Sequence, residues 1–499
     1  MTINKKLIII FLMCAFILSA LISCNNASEN NSAQPDNQET PENESSQEKE
    51  KNEPIRPDLP DMDFGGHEFK YFVWDVTEWG GNDSQLHRDL YSERETGETV
   101  NDMVYRRNIK IEDTYNIKIS QQLVLISNYE KQFAKSVNAG DFDYDALYYQ
   151  IASMGSLVTK GYLRNLYDLH YADFTKPWWD KNAINDLSLD HKLFGINSAI
   201  TTVDKMGAQA LVFNKDILRD CSLADPYQMV FDGKWTLDKF NDMLKEASRD
   251  LTGDGKMGLD DLWGFFYMRD TMSNFANGAG CFIAQKDNND YITMTFAGER
   301  QYAALEKIFD IFFNEDCSLN FLQKLGNDWQ NAVVRMFQGN QGLFMWIRMR
   351  ECEALRAMET PFGILPVPKY DENQSRYYSS INPYTSTVLG IPVTNTDMDR
   401  TGIILEALAG ESLYTVQPAY YDITLKGKVT RDDESEKILD LIYANVCYDI
   451  GEILRLGGMD EYVYLADNKN RDVASYFEKR EEKCQRDIEK IMTAIKELN

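Results

Sequence analysis

Between His67 and Tyr149 the hydrophobic period switches back and forth between strand and helix spacing, and this constrains the fold more than any other feature. His67–Val76 (HEFKYFVWDV) alternates and is rich in aromatics, the pattern of a strand. Glu98–Tyr115 is helix-like, with Val100, Val104, Ile109 and Ile111 set among charged residues. Asn116–Ile126 (NIKISQQLVLI) reads as a second strand, and Tyr129–Val137 as a helix that ends near Gly140. Tyr144–Tyr149 (YDALYY) is a third, short strand. Strands that alternate with helices through short connections imply a parallel α/β sheet.

The pattern continues downstream. Leu193–Ile200 and Ala208–Asn214 read as strands on either side of Thr201–Gly207. Thr236–Ser248 is a helix with Thr236 as N-cap and Leu237, Phe240, Met243 and Leu244 on its apolar face. Tyr302–Asn314 and Ile403–Leu413 are further helices, while Gly342–Ile347, Phe362–Pro366 and Val388–Pro392 have strand character. At the end, Tyr476–Leu498 places Phe477, Cys484, Ile488, Ile491, Met492 and Ile495 on one helical stripe. There is no internal repeat and no nucleotide-binding glycine loop.

The N-terminus has a different logic. Lys5 and Lys6 precede the apolar run Leu7–Ile22, which stops at Ser23-Cys24. A basic start, an apolar core and a small residue form an export signal, and the run is shorter than the ~20 residues that a spanning helix needs. Cys24 placed at that point resembles a bacterial lipobox, which implies lipidation of Cys24 and a mature chain tethered outside the cytoplasm. From Cys24 to Pro60 there are nine acidic and three basic residues and few apolar ones. Such a tract cannot bury enough surface to offset its ordering entropy, so 24–62 is expected to be a disordered acidic tether.

Composition then narrows the function classes. The chain has 499 residues and a net charge of −27, most of it beyond Asp61. That balance argues against nucleic acid, whose binding depends on phosphate neutralisation. No HExxH, GxSxG, GxxxxGK[ST] or CxxC motif occurs. Beyond Cys24 six cysteines are widely spaced, so pairing is not readable from sequence.

The order of segments from about Phe64 to Asn499 resembles family-1, maltose-binding-like extracellular solute-binding proteins, the receptors of ABC sugar importers. Tyr144–Leu169 resembles the family's strand, helix and "G-x-L-x-x-L" turn. Leu193–Leu218 resembles its "G-I-P … Y-N-K" crossover, with Asn197 where Pro is usual. Phe337–Trp346 (FQGNQGLFMW) resembles its "F-x-x-G-x-x-A-M" element, and Phe362–Pro392 its later strand–loop–strand. The resemblance implies a two-lobed α/β, periplasmic-binding-protein-like (type II) fold with hinge crossovers and a ligand cleft. By that analogy 1–23 is the signal peptide. The first lobe takes 63–203 and 345–405, and the second takes 204–344 and 406–499. A monomer that closes on its solute by hinge motion and delivers it to ABC permease subunits is the implied function. No catalysis is expected. An extracytoplasmic glycosidase is the alternative, since 79 acidic residues leave carboxylate pairs open, although the element order is not that of an eightfold barrel. A surface sensor or adhesin is a third.

Sugar recognition needs flat apolar faces and polar partners for hydroxyls. Candidates at strand ends are Trp74, Trp79, Tyr148, Tyr149 and Gln150, with Asp204 at the crossover, Trp346 and Arg348 at the second crossing, and Asn382 and Tyr384 in the later loop. Trp178-Trp179 line the cleft or staple a helix start. Asp250–Asp261 (DLTGDGKMGLDD) has the spacing of an EF-hand calcium loop. Asp250, Thr252, Asp254 and Asp261 would supply side-chain oxygens and Lys256 its carbonyl. Thr252 and Asp261 depart from the usual Asp/Asn and Glu. Bound calcium would fix the loop structurally.

Overall fold

The computed structural model describes residues 54–77, 89–296, 298–421 and 432–498. In chain order the strands are β1 (His67–Asp75), β2 (Ile117–Leu125), β3 (Ala146–Gln150), β4 (Gln209–Asn214), β5 (Trp263–Tyr267), β6 (Ala284–Lys286) and β7 (Ile292–Met294). They continue with β8 (Ser318–Asn320), β9 (Gly342–Arg348), β10 (Phe362–Leu365), β11 (Ser379–Ser380), β12 (Thr387–Gly390) and β13 (Val446–Cys447).

The first sheet has the order β12-β3-β1-β2. β1 runs parallel to both β2 and β3, as the alternating sequence predicts, and His67 faces Ile117 at the start of the register. Helix Thr99–Tyr115 makes the first crossover. Glu98 caps it by accepting from the Asn101 amide, and Asn116 ends it in the left-handed region (φ 51). Asn tolerates that conformation better than other residues with a Cβ. β12 enters antiparallel to β3.

The second sheet has the order β10-β4-β9-β5-β8. β5, β8 and β9 are parallel, while β4 is antiparallel to β9 and β10. β5 (WGFFY) is buried throughout. Gly264 within it is a packing requirement, since a Cβ there would meet Leu244 Cα at 2.8 Å. Helix Leu237–Ala247, capped by Thr236, lays Phe240 into an aromatic cluster with Trp235, Phe265, Phe275 and Phe344.

Two α/β layers around two sheets, joined by crossing segments, form the two-lobed architecture. The crossings differ from the expectation in one respect. β9 and β10 hydrogen-bond into the second sheet, so 345–365 lies there and not with the first lobe. The return crossing is the stretch 366–386, and it meets the outgoing one where Ala208 bridges Ile381. β12 and helix Met398–Ser412 do sit with the first sheet, the helix packing against Thr99–Tyr115. The C-terminal helix Val473–Glu497 also departs from the assignment. It packs on the segment Leu456–Val463 and on helix Met154–Thr159 of the first lobe. Lys192 Nζ fastens its end by donating to Ile495 O (2.8 Å) and Leu498 O (2.7 Å). Leu193–Ile200 is not a regular strand, and only isolated bridges at Ile196 and Ser198 remain of it. All six cysteines beyond Cys24 are free thiols.

One buried cation ties the outgoing crossing to the first lobe. Arg107 Nη1 donates to Ile200 O (2.8 Å) and Ser412 Oγ (3.1 Å), and Nη2 to Asp89 O (3.1 Å) and Leu90 O (3.0 Å). The Asp89 carboxylate accepts in turn from the Thr202 amide and hydroxyl. Burial lowers the Arg107 pKa, and the neighbouring Tyr71 and Asp89 offset part of that cost. Removing one member of a buried charged network costs about 3–5 kcal/mol because its partners stay desolvated. Arg107→Met should therefore lower the denaturation midpoint by a corresponding amount in urea titration. A variant as stable as the parent would show that the crossing is held by other contacts.

Candidate functional site

In open α/β sheets the carboxyl ends of the strands define the crevice where ligands sit. In the first sheet β1 ends at Trp74-Asp75 and β3 at Gln150. Beyond them lies a hollow of about 490 Å³ lined by Trp74, Tyr129, Glu130, Gln150, Ser153 and Lys160, among others. Ser153 Oγ donates to Glu130 Oε1 (2.6 Å), which fixes one wall. In the second sheet the ends of β8 and β9 open on a hollow of about 310 Å³. Phe321, Trp329, Gln338, Trp346, Arg348 and Glu351 are part of its lining. Phe321 and Trp329 stack at 5.4 Å. Glu351 accepts from Arg348 N (2.9 Å) and Nε (2.8 Å), and so orients the guanidinium.

The segment Asn382–Ser386 joins the two strand ends. Gln150 Nε2 donates to Tyr384 O (2.6 Å), and the amides of Ile151 and Ala152 to Ser386 O and Pro383 O. On the other side Arg350 Nη1 reaches Thr385 O (3.2 Å) and Asn382 Nδ2 reaches Asp270 Oδ2 (3.3 Å). Tyr384 Oη donates to Asp460, whose same oxygen accepts from Arg455 Nε (3.2 Å). The junction is thus a polar network between aromatic-walled hollows, which suits a ligand with many hydroxyls and apolar ring faces.

Four carboxyl groups lie in or beside this junction. Burial raises the Asp270 pKa, with Arg269 and Arg348 acting against it. Asp449 is pushed up to about 6 by burial despite four backbone amides. Glu452 is raised well above the usual range, first by burial and then by the charges of Asp449, Asp460 and Asp270. Asp460 is also buried.

Of the sequence candidates, Trp74, Gln150, Trp346, Arg348, Asn382 and Tyr384 fall at this junction or in its two hollows. Tyr148 and Tyr149 do not. Both are fully buried in the first sheet, Tyr149 Oη bonded to Phe194 O (3.0 Å) and the Tyr148 ring against Tyr71. β3 is buried from Ala146 to Tyr149, so only its last residue, Gln150, emerges. Trp79 lies outside the described residues. Asp204 lies at the start of helix Val203–Gly207, in a separate hollow with Trp178 and Trp179. Asp270, Arg350, Glu452 and Asp460 were not singled out from sequence. Asp270 follows β5, and reading WGFFY as a buried strand would have pointed to it.

The calcium-like loop is closed by its own backbone. Asp250 accepts from the Gly253 and Gly255 amides (2.6 and 2.8 Å), with both glycines at positive φ. Asp261 accepts from Leu251, Thr252 and Gly258. Asp254 accepts from the Lys256 amide. These bonds lower the pKa of Asp250 and Asp261. Among the described residues no three His, Cys, Asp or Glu converge as a metal cluster. Cys24 lies outside the described residues. Among the described residues no helix is long and apolar enough to cross a membrane.

No family model and no curated protein matches the chain. Solved structures do. An ABC substrate-binding protein from Listeria monocytogenes, in complex with cycloalternan, is similar at TM-score 0.52 and 12% identity over 86% of this chain and 99% of its own. A sugar transporter from Rhizobium etli in an open conformation is similar at 0.55 and 12%, over 87% and 100%. A cyclo/maltodextrin-binding protein complexed with maltotetraose is similar at 0.52 and 15%, over 86% and 97%. The chain therefore has the two-lobed fold of ABC sugar-binding proteins. These neighbours are binding proteins rather than enzymes.

Glu452 gives a test of the site's electrostatics. A carboxyl whose folded pKa is raised loses stability as pH rises from its unfolded value, 4.5, through the folded one, by up to about 1.4 kcal/mol per unit. Glu452→Gln mimics the neutral acid and lacks that loss. The melting temperature of the variant minus that of the parent should grow from pH 5 to pH 8. A pH-independent difference would show that Glu452 keeps an ordinary pKa.

Proposed function

We propose that this chain is the lipid-anchored, extracytoplasmic substrate-binding protein of an ABC importer, taking a carbohydrate between its lobes. The observation that carries this reading is the convergence of Gln150, Asn382, Tyr384 and Asp270 between two aromatic-walled hollows at the strand ends. The ligands named for the similar structures, cycloalternan and maltotetraose, agree with it in chemical class. Arg348 and Gln150 would donate to hydroxyls, Asp270 would accept, and the half-buried Trp329 would offer a ring face. The bound solute would be handed to permease subunits on lobe closure, and no bond is made or broken.

Titration calorimetry with a set of linear and cyclic gluco-oligosaccharides tests this. One should bind saturably, and Gln150→Ala should weaken it at least tenfold, which is about 1.4 kcal/mol, without product formation. Release of shorter sugars would favour a glycosidase instead, and no binding across neutral, acidic and amino sugars would remove carbohydrate as the ligand class.

The anchor is proposed on Cys24 and the signal-like run before it. Cys24→Ala should appear in the culture medium with ligand binding intact, whereas retention in the membrane fraction would indicate an uncleaved anchor. Calcium in the loop Asp250–Asp261 is proposed on spacing alone. The same melting curves recorded with a chelator decide it, and an unchanged midpoint rejects it.

A further inference from the structure

The crossing segment borders another hollow, of about 490 Å³, which shares no lining residue with the two at the strand ends. We infer that it is a second binding site, for a small organic cation. Its walls include Trp178, Trp179 and Tyr443, and its polar groups include Asp180, Asp204 and Gln417.

Two of the hollow's buried polar atoms are acceptors without a donor among the described residues. Gln417 is 7% exposed, and its Nε2 donates to Ala199 O (2.9 Å) and Thr201 O (2.7 Å). Those two carbonyls fix which end of the amide is nitrogen. Its Oε1 is buried and has no donor among the described residues. Asp204 Oδ2 has Lys205 Nζ at 3.2 Å, while Oδ1 is buried without a donor. Asp180 is already engaged, by the Asn182 and Ala183 amides and by Tyr448 Oη (2.7 Å). Its pKa is raised by burial and by the charge of Asp204. A second carboxylate that adds to the cost of ionising Asp180, in an aromatic-walled hollow, favours a positive occupant.

An ammonium group supplies N–H donors for Asp204 Oδ1 and Gln417 Oε1, with its alkyl body against the indoles. Lys181 and Lys205 also line the hollow, Lys205 paired with Asp204 Oδ2, but the two buried unpartnered oxygens call for a donor and not for an anion. Because the Gln417 amide is bonded to residues 199 and 201, a ligand there would bear directly on the segment that links the lobes.

Full-length protein is titrated with 1,4-diaminobutane, and with 1,4-butanediol as the neutral match. The diamine should bind saturably and the diol at least tenfold more weakly. Asp204→Asn, and separately Gln417→Met, should each weaken the diamine at least tenfold, with melting curves reporting that each variant is folded. Gln150→Ala at the strand ends should leave diamine affinity unchanged. Absence of saturable diamine binding overturns the inference, as does equal affinity for the diol or insensitivity of a folded Asp204 or Gln417 variant. Loss of diamine binding in Gln150→Ala also overturns it, because the cation would then occupy the strand-end site. No sugar enters the experiment, so its outcome is independent of the carbohydrate reading.

Discussion

The structure depends on how a chain that leaves one sheet for another is held as it crosses. Arg107 meets that need with one guanidinium that gathers carbonyls from residues 89, 90 and 200 and a hydroxyl from Ser412. These come from three separate parts of the sequence. A guanidinium suits this task because its fork presents several fixed donors at once. With Ile200 held from one side and Thr202 held by Asp89, the crossing leaves the first lobe in a set direction. β4 then begins within reach of β9, and the second sheet assembles on it.

The strand-end junction follows from this frame. Parallel strands place their carboxyl ends on one edge, and both sheets direct that edge toward the return crossing. Gln150 and Asp270 belong to different lobes, yet both bond to the segment Asn382–Ser386. Local dielectric then becomes important. Burial raises the pKa of Glu452 well above that of an ordinary carboxyl and that of Asp449 to about 6, so Glu452 is the group there that favours the neutral acid. A neutral acid can donate as well as accept, which widens the hydroxyl geometries such a junction can satisfy.

Much of this was legible in the sequence because it is local. The strands of the first sheet, the Glu98 and Thr236 helix starts and the turn at Gly140 come from period and capping alone. What was missed is non-local. β5 has five buried residues with no alternation, because both of its faces are covered, and such a run carries no period. The position of the return crossing depends on the pairing of β10 with β4, which no residue of Phe362–Leu365 announces. In the site, aromatic type alone could not separate Tyr148 and Tyr149 from Trp74. All three are buried, and only the placement of Trp74 at the end of β1 puts it on the wall of a hollow.

The C-terminal helix has a consequence for how such a molecule would move. The chain enters β1 from the N-terminal side, and its last helix docks on the first lobe with Lys192 closing its end. β1 and the end of the last described helix therefore belong to the same lobe, while helix Asp433–Ala444, packed against β10, returns to the second lobe between them. If the N-terminus is moored at a membrane, the first lobe is the stator and the second the rotor. A surface that reports the liganded state would then be sought on the second lobe, which is free to change its attitude relative to the bilayer.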